Sequence, residues 1–142
     1  MTAHTDCIFC NIIKGTIPCA KVYEDENVFA FLDISQVTKG HTLVIPKTHV
    51  KDIFELSPET ASSLFSTVPR IAQALKDAFS SPGLNIVNNN GETAGQTVFH
   101  YHLHLIPRYG SGDGYGAVWK DHSSQYQPED LQKLAEQIRK FF

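Results

Sequence analysis

The ten residues FHYHLHLIPR, at positions 99–108, constrain the fold more than any other stretch of the chain. Apolar and imidazole side chains alternate through them, and a β-strand sends residues two apart to the same face. The spacing predicts a strand with Phe99, Tyr101, Leu103 and Leu105 packed on a core and His100, His102 and His104 on the opposite side. Three of the chain's seven histidines fall within these five positions. A row of imidazoles against a sheet is costly to desolvate unless the rings have partners or a chemical task.

The rest of the chain reads as short strands with helices at intervals. KVYEDENVFAFLDI predicts two strands around the polar EDEN turn, Val28 to Leu32 being nearly all apolar. HTLVIP predicts another, preceded by Gly40 and ended by Pro46. Over 57–79 the pattern turns helical, with Ser57 as N-cap, Pro58 in the first helical position, and Leu64, Val68, Ile71, Ala72, Leu75 and Phe79 at helical spacing. Pro69 inside that pattern predicts a kink or a break. GLNIVNN predicts a strand, RYGSGDGYG a glycine-rich loop that is either a lid or a connection, and QPEDLQKLAEQIRKFF an amphipathic helix carrying Leu131, Leu134, Ala135 and Ile138. Strands joined by short polar turns, with helices between, indicate an α+β domain with a mostly antiparallel sheet.

Length and composition bound the function. A chain of 142 residues suits one domain with a sizeable core. The net charge is −3 and there is no basic cluster, which argues against a nucleic-acid groove. No apolar run approaches the roughly 18 residues of a membrane span, and the N-terminal MTAHTDCIFCNIIKG lacks the pattern of a signal peptide. Three cysteines, an odd number, fit a reducing compartment, so a cytoplasmic location is expected.

Three readings of the histidine strand follow from chemistry alone. It is a polar sheet surface, or a metal site, or a nucleophilic centre acting on phosphorus. His100 and His104 would lie about 13 Å apart on an extended strand at roughly 3.3 Å per residue, so one ion takes two neighbours at most. Neutral imidazole is a good nucleophile near neutral pH, and a second ring two residues along can hold a phosphate from the same side. Cys7 and Cys10, in CIFC, form a zinc half-site, a redox pair or a coincidence. His49 and one strand histidine are candidates to complete a zinc site. Cys19 is expected to be buried and inert. Asp33 serves either a turn or the hydroxyls of a ribose. NNNG at 88–91 and AGQT at 94–97 are turn chemistry that also offers donors to a phosphate.

HYHLHLIPR resembles the signature of the histidine-triad family, His-φ-His-φ-His-φ-φ with φ apolar; Tyr101 is the mildest departure. CIFCNIIKGTIPCAKVYED is similar to that family's N-terminal segment, AFLDISQVTKGHTLVIPKTH to its central strands, and GLNIVNNNGETAGQTVFHYHLHLIPR to its nucleotide-binding half. The likeness runs to about residue 122 and is to the bacterial branch. It implies an α+β fold with a five-stranded antiparallel sheet, a central amphipathic helix and a C-terminal helix. It also implies one domain over 1–142, with 123–142 as a helical extension, and a homodimer.

The resemblance further implies hydrolysis or nucleotidyl transfer at the α-phosphate of a nucleotide, the substrate being a purine nucleotide phosphoramidate, a dinucleoside polyphosphate or a related ester. His102 would be the nucleophile and form a nucleotidyl-imidazole, His104 would hydrogen-bond the phosphate or bridging atom, and His41 would help order the site. Asp33 would bind ribose and Ile34 pack by the base or sugar. Asn89, Gln96 and Thr97 would contact sugar and phosphate, and Phe9 and Phe31 would line the base pocket. A structural zinc is implied on Cys7, Cys10, His49 and His100, with no catalytic metal required. The chain ends in an amphipathic helix rather than the short Trp-containing tail of many eukaryotic members, and Trp119 takes no role from that tail. His4 and His122 carry no assigned role. A nucleotide-binding module acting through protein partners is the rival reading, and a redox protein using Cys7 and Cys10 is a third.

Overall fold

The structure, a computed structural model, describes residues 6–142; His4 lies outside them. Five strands, β1 (Lys21–Glu24), β2 (Val28–Leu32), β3 (Thr42–Pro46), β4 (Gly83–Val87) and β5 (Leu103–Arg108), form one antiparallel sheet in the order β1-β2-β3-β5-β4. Helix α1 (Ile8–Lys14) covers one face and α2 (Pro58–Phe79) the other, while α3 (Pro128–Arg139) follows the long loop after β5. Among the described residues no helix is long and apolar enough to cross a membrane.

The two-sided burial of the sheet explains its apolar runs. In β2, Val28 and Ala30 join Leu64, Val68, Ile71 and Leu75 of α2, while Phe29 and Phe31 point the other way, to Phe9 and Ile12 of α1. In β3, Val44 faces α2, and Leu43 and Ile45 face α1. A strand covered on both faces needs no polar alternation. In α2 the Ser57 hydroxyl accepts from the N–H of Thr60 at 3.1 Å, satisfying one of the first-turn donors.

One expectation about elements is narrowed, the break at Pro69 being excluded, and one is corrected. Helix α2 runs unbroken for 22 residues through Pro69. Proline there removes the donor to the carbonyl of Phe65, but Phe65 and Pro69 are both exposed, on the side of the helix where water can replace the lost bond. The histidine strand is also shorter than its pattern. β5 begins at Leu103, after His100 and His102. The β3–β5 register pairs Val44 with Leu103, and two residues further on β3 ends at Pro46, which has no N–H to extend the ladder. The backbone there turns to other partners: Tyr101 N–H donates to the carbonyl of Val50 at 2.7 Å, and the Asn88 side chain donates to the carbonyl of His102 at 3.0 Å. The alternation survives without the ladder, since Tyr101, Leu103 and Leu105 enter the α2 core. Phe99, expected beside them, is 41% exposed.

The connection between β2 and β3 is tightly seated at one point. Gly40 adopts φ +94°, and a Cβ there would meet the Phe79 ring at 2.6 Å, so only glycine satisfies both the backbone and the packing. The loop after β5 is fastened by Arg108, whose guanidinium donates to both oxygens of Asp113 and to Asn85 Oδ1 on β4. That contact holds the Asp113 carboxyl well below the usual carboxylate range. Along α3, by contrast, Leu131, Leu134 and Ile138 stay exposed.

Leu64 is fully buried between α2 and the sheet. Leu64→Ala is expected to lower stability by about 2–5 kcal/mol, read as a reduced midpoint in urea unfolding with an unchanged slope.

Candidate functional site

A cavity of about 420 Å³ opens on the α1 face of the sheet. Ile8, Phe9, Ile12, Ile17 and Pro18 form one wall, and Phe31 and Leu43 the sheet side. Asp33, Ile34, Asn89, Gly95 and Thr97 stand at its polar side, and His102 and His104 line it from β5 and its approach. An apolar slot with a few convergent polar groups is the ordinary form of a small-molecule site. The Phe9 ring stands edge-on to Phe31, with centroids 5.5 Å apart, and to His102 at 5.1 Å, so α1 also packs the imidazole in place.

The protonation pattern of the histidines follows from the backbone groups they meet. His102 Nδ1 lies 2.7 Å from the carbonyl of His100. A carbonyl only accepts, so Nδ1 carries the proton and the Nε2 lone pair is left for the cavity. At His41 the case is reversed. The N–H of Val37 donates to His41 Nδ1 at 3.2 Å. His41 Nε2 therefore carries the proton and donates to His104 Nδ1 at 2.9 Å. His104 in turn keeps its proton on Nε2. One nucleophilic nitrogen and one N–H donor thus stand side by side, their rings 5.0 Å apart between centroids. Burial lowers all three pKa values below the ordinary histidine value, against the pull of the Asp33 carboxylate on each ring, of the His100 carbonyl on His102 and of the Ser35 backbone on His41. His104 falls furthest, to about 4, because the neighbouring His102 and His41 add to its burial. Neutral rings are what this hydrogen-bond chain requires.

Two clusters of metal-ligand type lie near each other, and the same reasoning separates them. Cys7, Cys10, His49 and His100 bring their donor atoms within 4.8 Å of one another. Cys7 Sγ is 3.5 Å from His100 Nδ1, Cys10 Sγ is 3.6 Å from that atom, and Cys10 Sγ is 3.3 Å from His49 Nδ1. A tetrahedral zinc, with bonds of about 2.3 Å to sulfur and 2.0–2.1 Å to nitrogen, sets its S···N edges at about 3.6 Å. His100 Nε2 donates to the carbonyl of Pro46 at 2.8 Å, which leaves Nδ1 unprotonated and ready to ligate. The N–H of Cys10 meets Cys7 Sγ at 3.4 Å, steadying that sulfur at the start of α1. These residues fit zinc. Asp33, His41 and His104 form the second cluster. There the Val37 N–H occupies His41 Nδ1, forcing a proton onto the nitrogen that a metal would need. That cluster is built to pass a hydrogen bond.

The HIT domain family model matches residues 14–111. The chain belongs to the HIT family. Protein hit of Bacillus subtilis is 64% identical over 140 residues, covering 99% of this chain and 97% of that one. Adenosine 5'-monophosphoramidase hnt1 of Schizosaccharomyces pombe is 40% identical over 132 residues, covering 93% and 95%. Adenylylsulfatase HINT3 of Arabidopsis thaliana is 38% identical over 137 residues, covering 96% and 68%. Among solved structures, a HIT family protein from Bacillus anthracis superposes with TM-score 0.93 at 64% identity, covering 99% of each chain. A Zn-bound histidine triad family protein from Mycobacterium smegmatis superposes with TM-score 0.73 at 40% identity, covering 92% of this chain and 96% of that one.

This HIT domain brings most of its sequence-derived candidates to one cavity. Phe9, Phe31, Asp33, Ile34, Asn89, Thr97, His102 and His104 line it, and His41 stands behind His104. Ile34 is 99% exposed, at the rim. Gln96 is not brought in. It is buried, its oxygen accepts from the N–H of Gly91 at 2.7 Å, and its amide donates to the carbonyls of Lys51 and Val98. Both ends of that side chain shape the 91–98 loop. Cys19, expected to be buried, is exposed and lines the cavity, because TIPCAK crosses its mouth instead of entering the core. Ile8, Ile12 and Ile17 line the cavity as well, and the helical spacing of Ile8 and Ile12 is the sequence signal that marks them. Asn88, which grips the carbonyl of His102, carries no signal beyond its turn composition.

Ring nitrogen NMR at pH 7 should show His102 protonated at Nδ1 and His41 and His104 protonated at Nε2. Acid titration should place the His104 midpoint at about 4, well below the usual histidine value.

Proposed function

We propose that this HIT protein hydrolyses purine nucleotide phosphoramidates or related nucleotide esters at the α-phosphate through a nucleotidyl-His102 intermediate. The observation that carries the reading is the His102 ring, held by its Nδ1 proton on the His100 carbonyl with Nε2 directed to the cavity beside the His104 donor. The named activities of the phosphoramidase and adenylylsulfatase relatives support the substrate class.

In this mechanism the base lies in the slot of Phe9, Ile12 and Phe31, and Ile34 closes on it or on the sugar. Asp33 accepts the ribose hydroxyls. Asn89 and Thr97 meet sugar and phosphate, while Gln96 acts through the loop that carries Thr97. The His102 Nε2 lone pair attacks the α-phosphorus, and the bond to the leaving amine or oxygen breaks. The Nδ1–H···O=C bond to His100 stabilises the positive charge that develops on the attacking ring. His104 Nε2–H bonds the phosphate oxygens or the bridging atom as charge collects there, and His41 keeps that proton on the correct side of the ring. Water then cleaves the phosphorus–nitrogen bond and frees His102. Zinc on Cys7, Cys10, His49 and His100 would be structural, since four protein ligands leave it no open position, and it would anchor the His100 carbonyl that holds the nucleophile. No catalytic metal enters the scheme. We also place the protein in the cytoplasm, without nucleic-acid or membrane partners, as a homodimer. The exposed apolar face of α3 supports the homodimer, and a solution mass twice the 15.8 kDa of one chain would test it.

His102→Ala should reduce release of AMP from adenosine 5′-phosphoramidate by about 10³-fold or more while AMP binding persists. Wild-type turnover in that variant would refute the nucleophile, and AMP binding with no turnover in the wild type would favour a binding module. Because the His41, His102 and His104 pKa values are lowered, the rings stay neutral as pH falls past 6.5, so kcat/KM should hold its plateau to below that pH before declining. Protein prepared without chelator should carry about one zinc per chain, and Cys10→Ser should lose it. A stable Cys7–Cys10 disulfide without zinc would overturn that site.

A further inference from the structure

The nine-residue path from Asp33 to His41 carries two proposed site residues at its ends, and one side chain closes it. The Gln36 amide donates to the carbonyl of Asp33 at 2.6 Å and to the carbonyl of His41 at 2.8 Å. Its oxygen accepts from the N–H of Gly40 at 2.8 Å. Gln36 is an exposed residue, yet both ends of its amide are spent on its own loop. The far half of that loop has separate anchors: Thr38 Oγ1 donates to the carbonyl of Pro107, and Gly40 packs on Phe79. The near half is fastened by Gln36 and by the Ser35 N–H on Asp33 Oδ1. Between these two halves stands Val37, whose N–H fixes the tautomer of His41.

We propose that Gln36 is a positioning residue that holds the Val37 N–H against His41 and so sets the direction of the His41–His104 hydrogen bond, while holding the Asp33 backbone in the same grip. The geometry runs in one sense. With Val37 in place, His41 protonates at Nε2, His104 accepts at Nδ1, and the His104 donor faces the cavity. With the loop slack, His41 is free to move its proton to Nδ1, and His104 can then turn its own proton away from the cavity. A single amide thus couples the carboxylate at the sugar end to the donor at the phosphate end. The catalytic consequence rests on the function proposed above; the effect on His41 does not.

The test pairs ring nitrogen NMR with kinetics on Gln36→Ala and on Gln36→Met, which keeps the length of the side chain without its amide. In both, the His41 nitrogens should move from a defined Nε2–H pattern toward the average of two tautomers. Turnover of adenosine 5′-phosphoramidate should fall by about 10–100-fold, mostly in kcat. Gln36→Glu keeps the acceptor for Gly40 but loses both donors, and it should not rescue. Two results would overturn the proposal: a wild-type His41 pattern in both variants, or a loss of turnover with that pattern unmoved. If the wild type itself fails to turn over the phosphoramidate, the proposed function fails, and the His41 signals still decide the role of Gln36. If Gln36→Ala does not fold, Gln36→Met carries the same readouts.

Discussion

The hydrogen bond from His102 Nδ1 to the carbonyl of His100 is the contact on which the site depends. It converts a backbone position into a chemical state, because a carbonyl cannot donate and the ring must put its proton there. The carbonyl itself is held from the other side. The His100 ring is clamped between the Pro46 carbonyl and the cysteine cluster, and Tyr101 is tied through its N–H to Val50. The segment from 100 to 102 lies outside the strand ladder, so these contacts replace the support that sheet pairing gives β5. The α1 helix serves both ends. Its Cys7 and Cys10 face His100, and its Phe9 packs edge-on against His102.

Similar donor sets take opposite uses a short distance apart in this fold. At His100 the second ring nitrogen meets a carbonyl, and the first faces the sulfurs of Cys7 and Cys10 in a cluster of zinc-ligand type. At His41 the second nitrogen meets an N–H, and the first becomes a donor to His104. The backbone atom behind each ring, more than the identity of the ligands, separates a candidate metal site from a hydrogen-bonded histidine pair. The lowered pKa values belong to the same picture, since burial without full compensation by Asp33 keeps His41, His102 and His104 neutral.

The connection between β2 and β3 is the second support of the site. Asp33 and His41 flank it in register, with the Asp33 N–H on the His41 carbonyl at 3.0 Å. Its conformation is closed by packing at Gly40 and by the Gln36 amide. Loops that carry function are usually positioned by a rigid scaffold. Here the scaffold reaches into the loop through one glycine and one amide.

The sequence by itself determined the α+β class, the five strands, the capped central helix and the terminal helix, because apolar period and turn residues act locally. The alternation in FHYHLHLIPR placed three imidazoles on one side of the chain, and CIFC marked the ends of a thiol pair; resemblance to the histidine-triad family joined them to His49 and His100. What it left undecided depends on neighbours distant in the chain. Pro69 reads as a breaker until the solvent side of α2 is known, and Cys19 reads as buried until its segment is seen crossing the cavity mouth. Gln96 has the type of a ligand-binding residue, but its amide is used on Lys51, Gly91 and Val98. Above all, no pattern of residues says which ring nitrogen carries a proton. Only the tertiary structure decides that, because the deciding groups are backbone carbonyls and N–H groups that folding brings to each histidine.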